Sequence, residues 1–282
     1  MSGTLYLVGT PIGNLGDLSP RAAETLRSVD FIAAEDTRVT LKLLNHFGIK
    51  KQLISYYEHN KAESAAVILP RLLAGESCAL VTDAGMPAIS DPGEDLVRQC
   101  AGAGIPVAAV PGPSAVVTAL AMSGLPTQRF TFEGFLSTSG KSRREHLASL
   151  KEEKRTMVLY EAPHKLAETL EDLLETLGDR DVALCREITK LHEECFRTTL
   201  SGAVEHYTQN PPRGEFVLVI GGCREQEEPK SQVDLLAQVQ ALVEEGLPLN
   251  AAVKQVARAN NAPKNALYQQ ALERLKGPEG EE

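Results

Sequence analysis

The sequence predicts an α/β protein with a mostly parallel N-terminal sheet, a mixed second sheet and a helical C-terminal extension. Three observations predict it. Over roughly the first 120 residues, short apolar runs alternate with helical segments, the pattern of a sheet covered on both faces. Polar and glycine-rich segments follow the C-terminal ends of those runs, where open α/β sheets place a ligand crevice. From residue 231 onward the patterning is helical alone. The expected domains are residues 1–124, residues 127–223 and a helical extension over 231–276.

The elements follow in order. Leu5-Tyr6-Leu7-Val8 reads as the first strand and runs into a loop over residues 9–17. Ser19 can cap the helix that Pro20 opens. Phe31-Ile32-Ala33-Ala34 reads as the second strand, ending in the polar group Glu35-Asp36-Thr37-Arg38, and Leu53-Ile54-Ser55 as the third. A helix is expected over about 62–74, a fourth strand at Cys78-Ala79-Leu80-Val81, a helix over about 93–103 and a fifth strand over 107–110. Ser114 can cap the small-residue helix that runs to Met122. Residues 124–127 form the expected linker. Beyond it, strands are expected over 130–133, 156–160, 182–186 and 215–220, with another near 194–198, and helices over 142–150, 165–177 and 202–207. The short Thr/Lys/His segment between two of these strands points to antiparallel pairing. Residues 224–230 read as a charged spacer. Helices over 233–245, 251–259 and 264–275 follow, with Asn250 as a cap and Asn260-Asn261-Ala262-Pro263 as the turn of a helix-turn-helix. Leu267, Leu272 and Leu275 supply apolar packing positions there, set against basic residues that outnumber the acidic ones.

Composition bounds the function. With 43% hydrophobic and 24% charged residues the chain is neither disordered nor fibrous. A net charge of −9 weighs against nonspecific nucleic-acid binding but leaves room for a local basic groove. There is no apolar run of about twenty residues for a membrane span. The N-terminus lacks the features of a signal peptide, so a cytoplasmic location is expected. Cys78, Cys100, Cys185, Cys195 and Cys223 form no CxxC pair, which argues for scattered free thiols rather than a disulfide scaffold or zinc cluster.

The chemistry-bearing segments sit at strand ends. The loop GTPIGNLGD fits neither GxGxxG nor GxxxxGK[ST], yet its glycines permit close approach by a ligand. The segment over 82–93, TDAGMPAISDPG, is the strongest: small side chains leave backbone donors open, and Asp83 and Asp91 can hold hydroxyl or amino groups. Residues 111–115, and the groups after the strands ending at Tyr160 and Arg186, add Ser, Glu, His, Arg and Lys. His164 and His192 occur without HxH or HExxH, so no metal is expected, and no GxSxG elbow is present. Residues 141–155 form a basic patch on an otherwise acidic protein.

The motifs GTPIGNL, EDTR, TDAGMPAISDPG, PGPSA, FEGF, YEAPHK and REITK, in this order, resemble the tetrapyrrole methylase family, in the branch that methylates ribose 2′-hydroxyls of small-subunit ribosomal RNA. The likeness is strongest over residues 4–222. It implies a two-domain tetrapyrrole-methylase-like fold, a homodimer, and S-adenosylmethionine folded into the cleft between domains. Asp83, Ala84, Gly85, Ser114 and Ala115 would line that cleft from the first domain, Tyr160 and Gly214 from the second, and Pro11 to Asn14 would lie near the transferred methyl. The implied substrate is the ribose of a cytidine in the decoding region of 16S rRNA. YEAPHK departs from the family's usual pattern at Ala162 and Lys165, where Ser and Arg are common. A sulfonium methyl is already activated, so alignment of the attacking hydroxyl and late proton removal carry the chemistry. Glu35, Glu161, Glu187 and Lys190 are the candidate bases or orienters. Phosphate contacts fall to Arg38, Lys141, Arg143, Arg144, Lys165 and Arg186. Two other readings stay open: a methylase of a tetrapyrrole or other small molecule, and a non-catalytic RNA-binding assembly factor.

Overall fold

The computed structural model describes residues 2–223, 232–260 and 262–276. Residues up to Cys223 form one compact unit and the residues after it a second.

The first unit opens with β1 (Leu5–Val8), α1 (Pro20–Ser28), β2 (Phe31–Ala34), α2 (Thr37–His46), β3 (Gln52–Ser55), α3 (Lys61–Leu73), β4 (Cys78–Val81), α4 (Gly93–Gly102) and β5 (Val107–Val110). The strands pair in the order β3-β2-β4-β1-β5, every neighbour parallel. β2 and β4 are buried at all positions, which is why their sequences are unbroken apolar runs. One face packs Val8, Leu26, Ile32 and Val81 together, and the other Leu5, Phe31, Leu80 and Leu96. Because β1 and β4 are neighbours, the loops that follow them emerge side by side. An antiparallel bridge ties the two: Thr10 N–H donates to the Gly85 carbonyl at 2.9 Å and Gly85 N–H to the Thr10 carbonyl at 3.1 Å.

The unit continues with α5 (Ala115–Ser123), β6 (Phe130–Phe135), α6 (Gly140–Leu150), β7 (Thr156–Glu161), α7 (Leu166–Leu177), β8 (Asp181–Arg186), β9 (Glu194–Thr199), α8 (Leu200–Gln209) and β10 (Phe216–Ile220). Their order is β6-β7-β10-β8-β9; β6 and β7 are parallel and the other pairs antiparallel, giving a mixed sheet. Leu147, Leu170 and Leu200 cover one face of this sheet. Val116, Ala119 and Leu120 of α5 cover the other, against Val158, Ala183 and Val219. The helix that closes the first half therefore packs on the sheet of the second, and the two halves share a wall.

The second unit holds α9 (Gln232–Glu244), α10 (Leu249–Ala259) and α11 (Lys264–Lys276) around Leu235, Val239, Val253, Val256 and Leu267. Leu267 thus packs within this unit's own core. Residues 224–230, read as a charged spacer, and the side chain of Leu275 lie outside the described residues.

Four expectations change. α2 was expected only as a polar strand end; Asp36 caps it by accepting from the Arg38 N–H at 2.8 Å. Its apolar spacing is misleading, because Val39 and Leu41 are exposed while Thr40 and Leu44 are buried. Asn250 is no cap but lies inside α10, whose N-cap is Pro248. Ser114 occupies the N-cap position of α5 without a side-chain capping bond. The thiols are not all scattered: Cys185 and Cys195 face each other across β8 and β9 with sulfurs 3.0 Å apart.

Candidate functional site

A cleft of about 440 Å³ opens at the C-terminal ends of the parallel strands and is closed on its far side by the mixed sheet. Its floor is mostly backbone and small side chains. A Cβ on Gly9 would meet Gly112 at 2.7 Å and one on Gly112 would meet Gly9 at 2.9 Å, so the ends of β1 and β5 approach as closely as they do only because both residues are glycine. Gly85 sits at φ +90°, and a Cβ there would stand 3.4 Å from Ile12 and 3.5 Å from the Pro113 carbonyl.

The two loops that frame the cleft carry unusual backbone. Among the described residues, the non-glycine residues at positive φ are Ala88 (67°), Ser90 (59°), Glu187 (50°) and Thr189 (68°). All four lie in the loops after β4 and β8. Such conformations cost of order 1–3 kcal/mol each and persist where surrounding structure fixes them. In the first loop, Asp91 does the fixing: its Oδ1 accepts from the Ala88 N–H at 2.9 Å and the Gly93 N–H at 2.7 Å. Burial raises the Asp91 carboxyl above its ordinary range despite those bonds. In the second loop, Glu187 Oε1 accepts from Lys190 Nζ at 3.0 Å and from the Glu215 N–H at 3.1 Å. Burial opposes ionisation of Glu187, but those donors prevail and its carboxyl lies below the usual range. Lys190 also binds Glu215 at 3.0 Å. Burial lowers its ammonium, yet the two carboxylates more than offset that and raise it. Both carboxylates favour the charged ammonium of Lys190.

Of the residues expected at the site, the structure brings Glu35, Ala84, Gly85, Ser114, Ala115, Tyr160, Glu161, Glu187 and Lys190 to the cleft lining. Glu35 accepts from the Thr82 hydroxyl. Both oxygens of Glu161 are engaged, by the Ala162 N–H at 2.8 Å and the Thr169 hydroxyl at 2.6 Å. Tyr160 packs edge-on to Phe132 at 5.1 Å and tilted to Phe135 at 5.4 Å. Burial raises its phenol, while the Val116 N–H at the start of α5 partly offsets this. Pro11, Asp83 and Gly214 stand next to lining residues rather than on the lining. Asp83 supports the neighbouring turn, accepting from the Asp36 N–H at 3.0 Å. Gly214, at φ +79°, leaves the space that Glu187 fills.

The cations divide. Arg38 pairs with Asp36 at 2.6 Å with its side chain 87% exposed, and Lys141 is 84% exposed. Arg144 is exposed, Lys165 half-buried, and Arg186 pairs with Glu194 at 2.7 Å. Arg143 departs from its expected role as a phosphate ligand. Its side chain is 12% exposed, binds Asp172 at 2.7 Å and donates to the Thr169 hydroxyl at 2.9 Å. It is committed to holding α6 on α7, and through Thr169 to holding Glu161.

Ile12, from the Pro11 to Asn14 stretch expected near the methyl, lies on the lining, whereas sequence reasoning did not single out Met86, Ile89, Phe135, Ile188 and Val217 as lining residues. Apolar residues carry no chemical signature. Only the FEGF motif marked the neighbourhood of Phe135.

A parallel sheet whose strand ends open onto a cleft, with a mixed sheet as the opposing wall, defines an α/β protein with a cleft between its two sheets. The profile of the Tetrapyrrole (Corrin/Porphyrin) Methylases matches residues 4–204, and that of the RsmI C-terminal HTH domain matches residues 229–275. The chain belongs to the tetrapyrrole methylase family. It is 50% identical to a Synechocystis protein named ribosomal RNA small subunit methyltransferase I, covering 96% of this chain and 98% of the relative. A protein of that name from Halalkalibacterium halodurans is 47% identical over 94% of this chain and 93% of its own length. Among solved structures, uroporphyrin-III C-methyltransferase from Thermus thermophilus in complex with S-adenyl homocysteine shares the fold with a TM-score of 0.53 at 21% identity, covering 78% of this chain and 97% of that one.

Proposed function

We propose that this protein transfers a methyl group from S-adenosylmethionine to the ribose 2′-hydroxyl of a cytidine in the decoding region of 16S rRNA. The observation that carries the reading is 47–50% identity, over nearly the whole chain, with relatives named as small-subunit rRNA methyltransferases, on a chain whose motifs converge on one cleft.

The cleft fits the cofactor. Its Gly85 cradle and the small residues Ala84 and Ala115 leave room for an adenosyl group, and Glu35 and Asp91 on the lining offer acceptors for hydroxyl and ammonium groups. The cofactor, when bound, supplies a methyl already activated on sulfur. The protein's part is to hold and align. Backbone at Ala84 and Gly85, with Ser114, Ala115 and Tyr160, encloses the cofactor, and Pro11 to Asn14 flank the methyl. Holding an incoming hydroxyl in line with that methyl removes much of the entropic barrier. Lys190, held by Glu187 and Glu215, orients the substrate, and one carboxylate, Glu35 or Glu187, takes the single hydroxyl proton. Arg38, Lys141, Arg144, Lys165 and Arg186 supply phosphate contacts.

In this reading residues 1–124 and 127–223 are the two catalytic domains, and 231–276 adds a positioning contact. The chain acts as a cytoplasmic homodimer, two-fold pairing being the commonest oligomer. Among the described residues, no helix is long and apolar enough to cross a membrane.

The test is transfer of labelled methyl from the cofactor to small ribosomal subunits purified from cells lacking the protein. Incorporation into their RNA supports the reading. Incorporation into a tetrapyrrole instead supports the small-molecule alternative, and RNA binding without turnover the assembly-factor alternative.

A further inference from the structure

Among the described residues, the large hydrophobic side chains left exposed include Phe135 and Ile89, and these two line the cleft. Phe135 is 59% exposed at the end of β6, and Ile89 is 52% exposed on the loop after β4. They come from opposite walls. The walls meet at Gly134, where a Cβ would stand 3.2 Å from Ser90 Oγ. Gly134 is at φ +64°, and the register of β6 against β7 shifts between Phe132 and Gly134. A bulge of this kind re-aims the following side chain, and here that side chain is Phe135.

The Phe135 ring is also braced. It leans on Tyr160 at 5.4 Å, and Tyr160 in turn packs on Phe132 at 5.1 Å. The three rings form a stair from the interior to the mouth, with the top ring open to solvent. The cofactor fits the small-residue floor, so a group entering from outside passes the exposed Phe135 and Ile89.

We infer that Phe135 and Ile89 form a slot that clamps the heterocyclic base of the target nucleotide, Phe135 stacking on one face and Ile89 covering the other. The inference rests on the RNA-methylating reading and adds to it the means of presenting the ribose. A nucleotide must leave its stack to be methylated at depth, and an aromatic platform offsets the lost stacking. Every base has a flat face, so the slot gives position, while hydrogen-bonding groups around it give identity. Phe135 is here a substrate-positioning residue, and its side chain makes few contacts that the fold needs.

The test uses the full-length protein and a short single-stranded RNA carrying 2-aminopurine at the target position, together with cofactor titration. Wild-type protein should quench the fluorophore by stacking. Phe135→Ala should abolish the quench, weaken RNA binding roughly 5- to 150-fold, and leave cofactor affinity within about twofold of wild type. Phe135→Tyr should restore the quench. Unchanged quenching in Phe135→Ala overturns the inference. So does a fall in cofactor affinity matching the loss of activity, which would assign the ring to the cofactor's adenine. Because the quench needs no turnover, a wild-type protein that quenches without methylating small subunits would sink the proposed function and leave the slot standing.

Discussion

Gly214→Ala probes the loop that holds Glu187 and Lys190 in the cleft. Two costs arise. Gly214 lies at φ +79°, and an L-residue in left-handed backbone costs about 1–2 kcal/mol. The new methyl would also stand 2.6–2.7 Å from the Glu187 side chain. Glu187 must then give up the bonds from Lys190 at 3.0 Å and the Glu215 N–H at 3.1 Å. Its side chain is 21% exposed, so solvent recovers part of that loss and about 1 kcal/mol remains. The sum is about 2–3 kcal/mol, read as a drop in the unfolding free energy by denaturant titration. The steric part disappears if Glu187 is already truncated. Glu187→Ala alone should cost about 1 kcal/mol, and the double variant should be less destabilised than the two single variants added together, by about 1 kcal/mol. A Gly214→Ala protein within 0.5 kcal/mol of wild type, or a strictly additive double variant, would refute the reasoning.

Two further predictions concern charge. Arg143→Ala should destabilise the protein by about 1.5–3 kcal/mol, because it strands Asp172 and the Thr169 hydroxyl, whereas the Lys141→Ala, Arg144→Ala double variant should melt like wild type but flatten the salt dependence of RNA binding; equal melting of both proteins would contradict this division. Glu153 is held down to about 2 by the Arg155 side chain and its N–H. A depressed carboxyl gives stability that is present above its unfolded value of 4.5 and is lost as pH falls towards 2. Glu153→Gln should therefore shallow the acid limb of the stability curve between those limits, and curves that stay parallel to wild type would count against it.

How much was legible beforehand follows from what each feature writes into sequence. Strands such as Cys78-Ala79-Leu80-Val81 were readable because a strand buried on both faces leaves an unbroken apolar run ended by turn residues. α2 was not, since its exposed Val39 and Leu41 break the amphipathic pattern and its buried Thr40 reads as polar. The motif-bearing loops were found because glycine and carboxylates mark them. Their union in one cleft needed strand order, which only pairing reveals. Arg143 misled because a charge in sequence does not show whether its partner is a phosphate or, as here, Asp172 on α7. Lys190 reads as a candidate base in sequence because Glu215, its second partner besides Glu187, meets it only in the fold. Phe135 carries no charge to flag it, and its exposure at the end of a bulged strand is visible only in the fold.

The central claim concerns the atom that receives the methyl group. Small subunits from cells lacking the protein should be incubated with it and labelled S-adenosylmethionine, and the rRNA then digested to nucleosides for mass analysis. The account predicts label in a single 2′-O-methylated cytidine, its fragmentation placing the methyl on the sugar. Label on a base, on another nucleoside, or absent from 16S rRNA would contradict it.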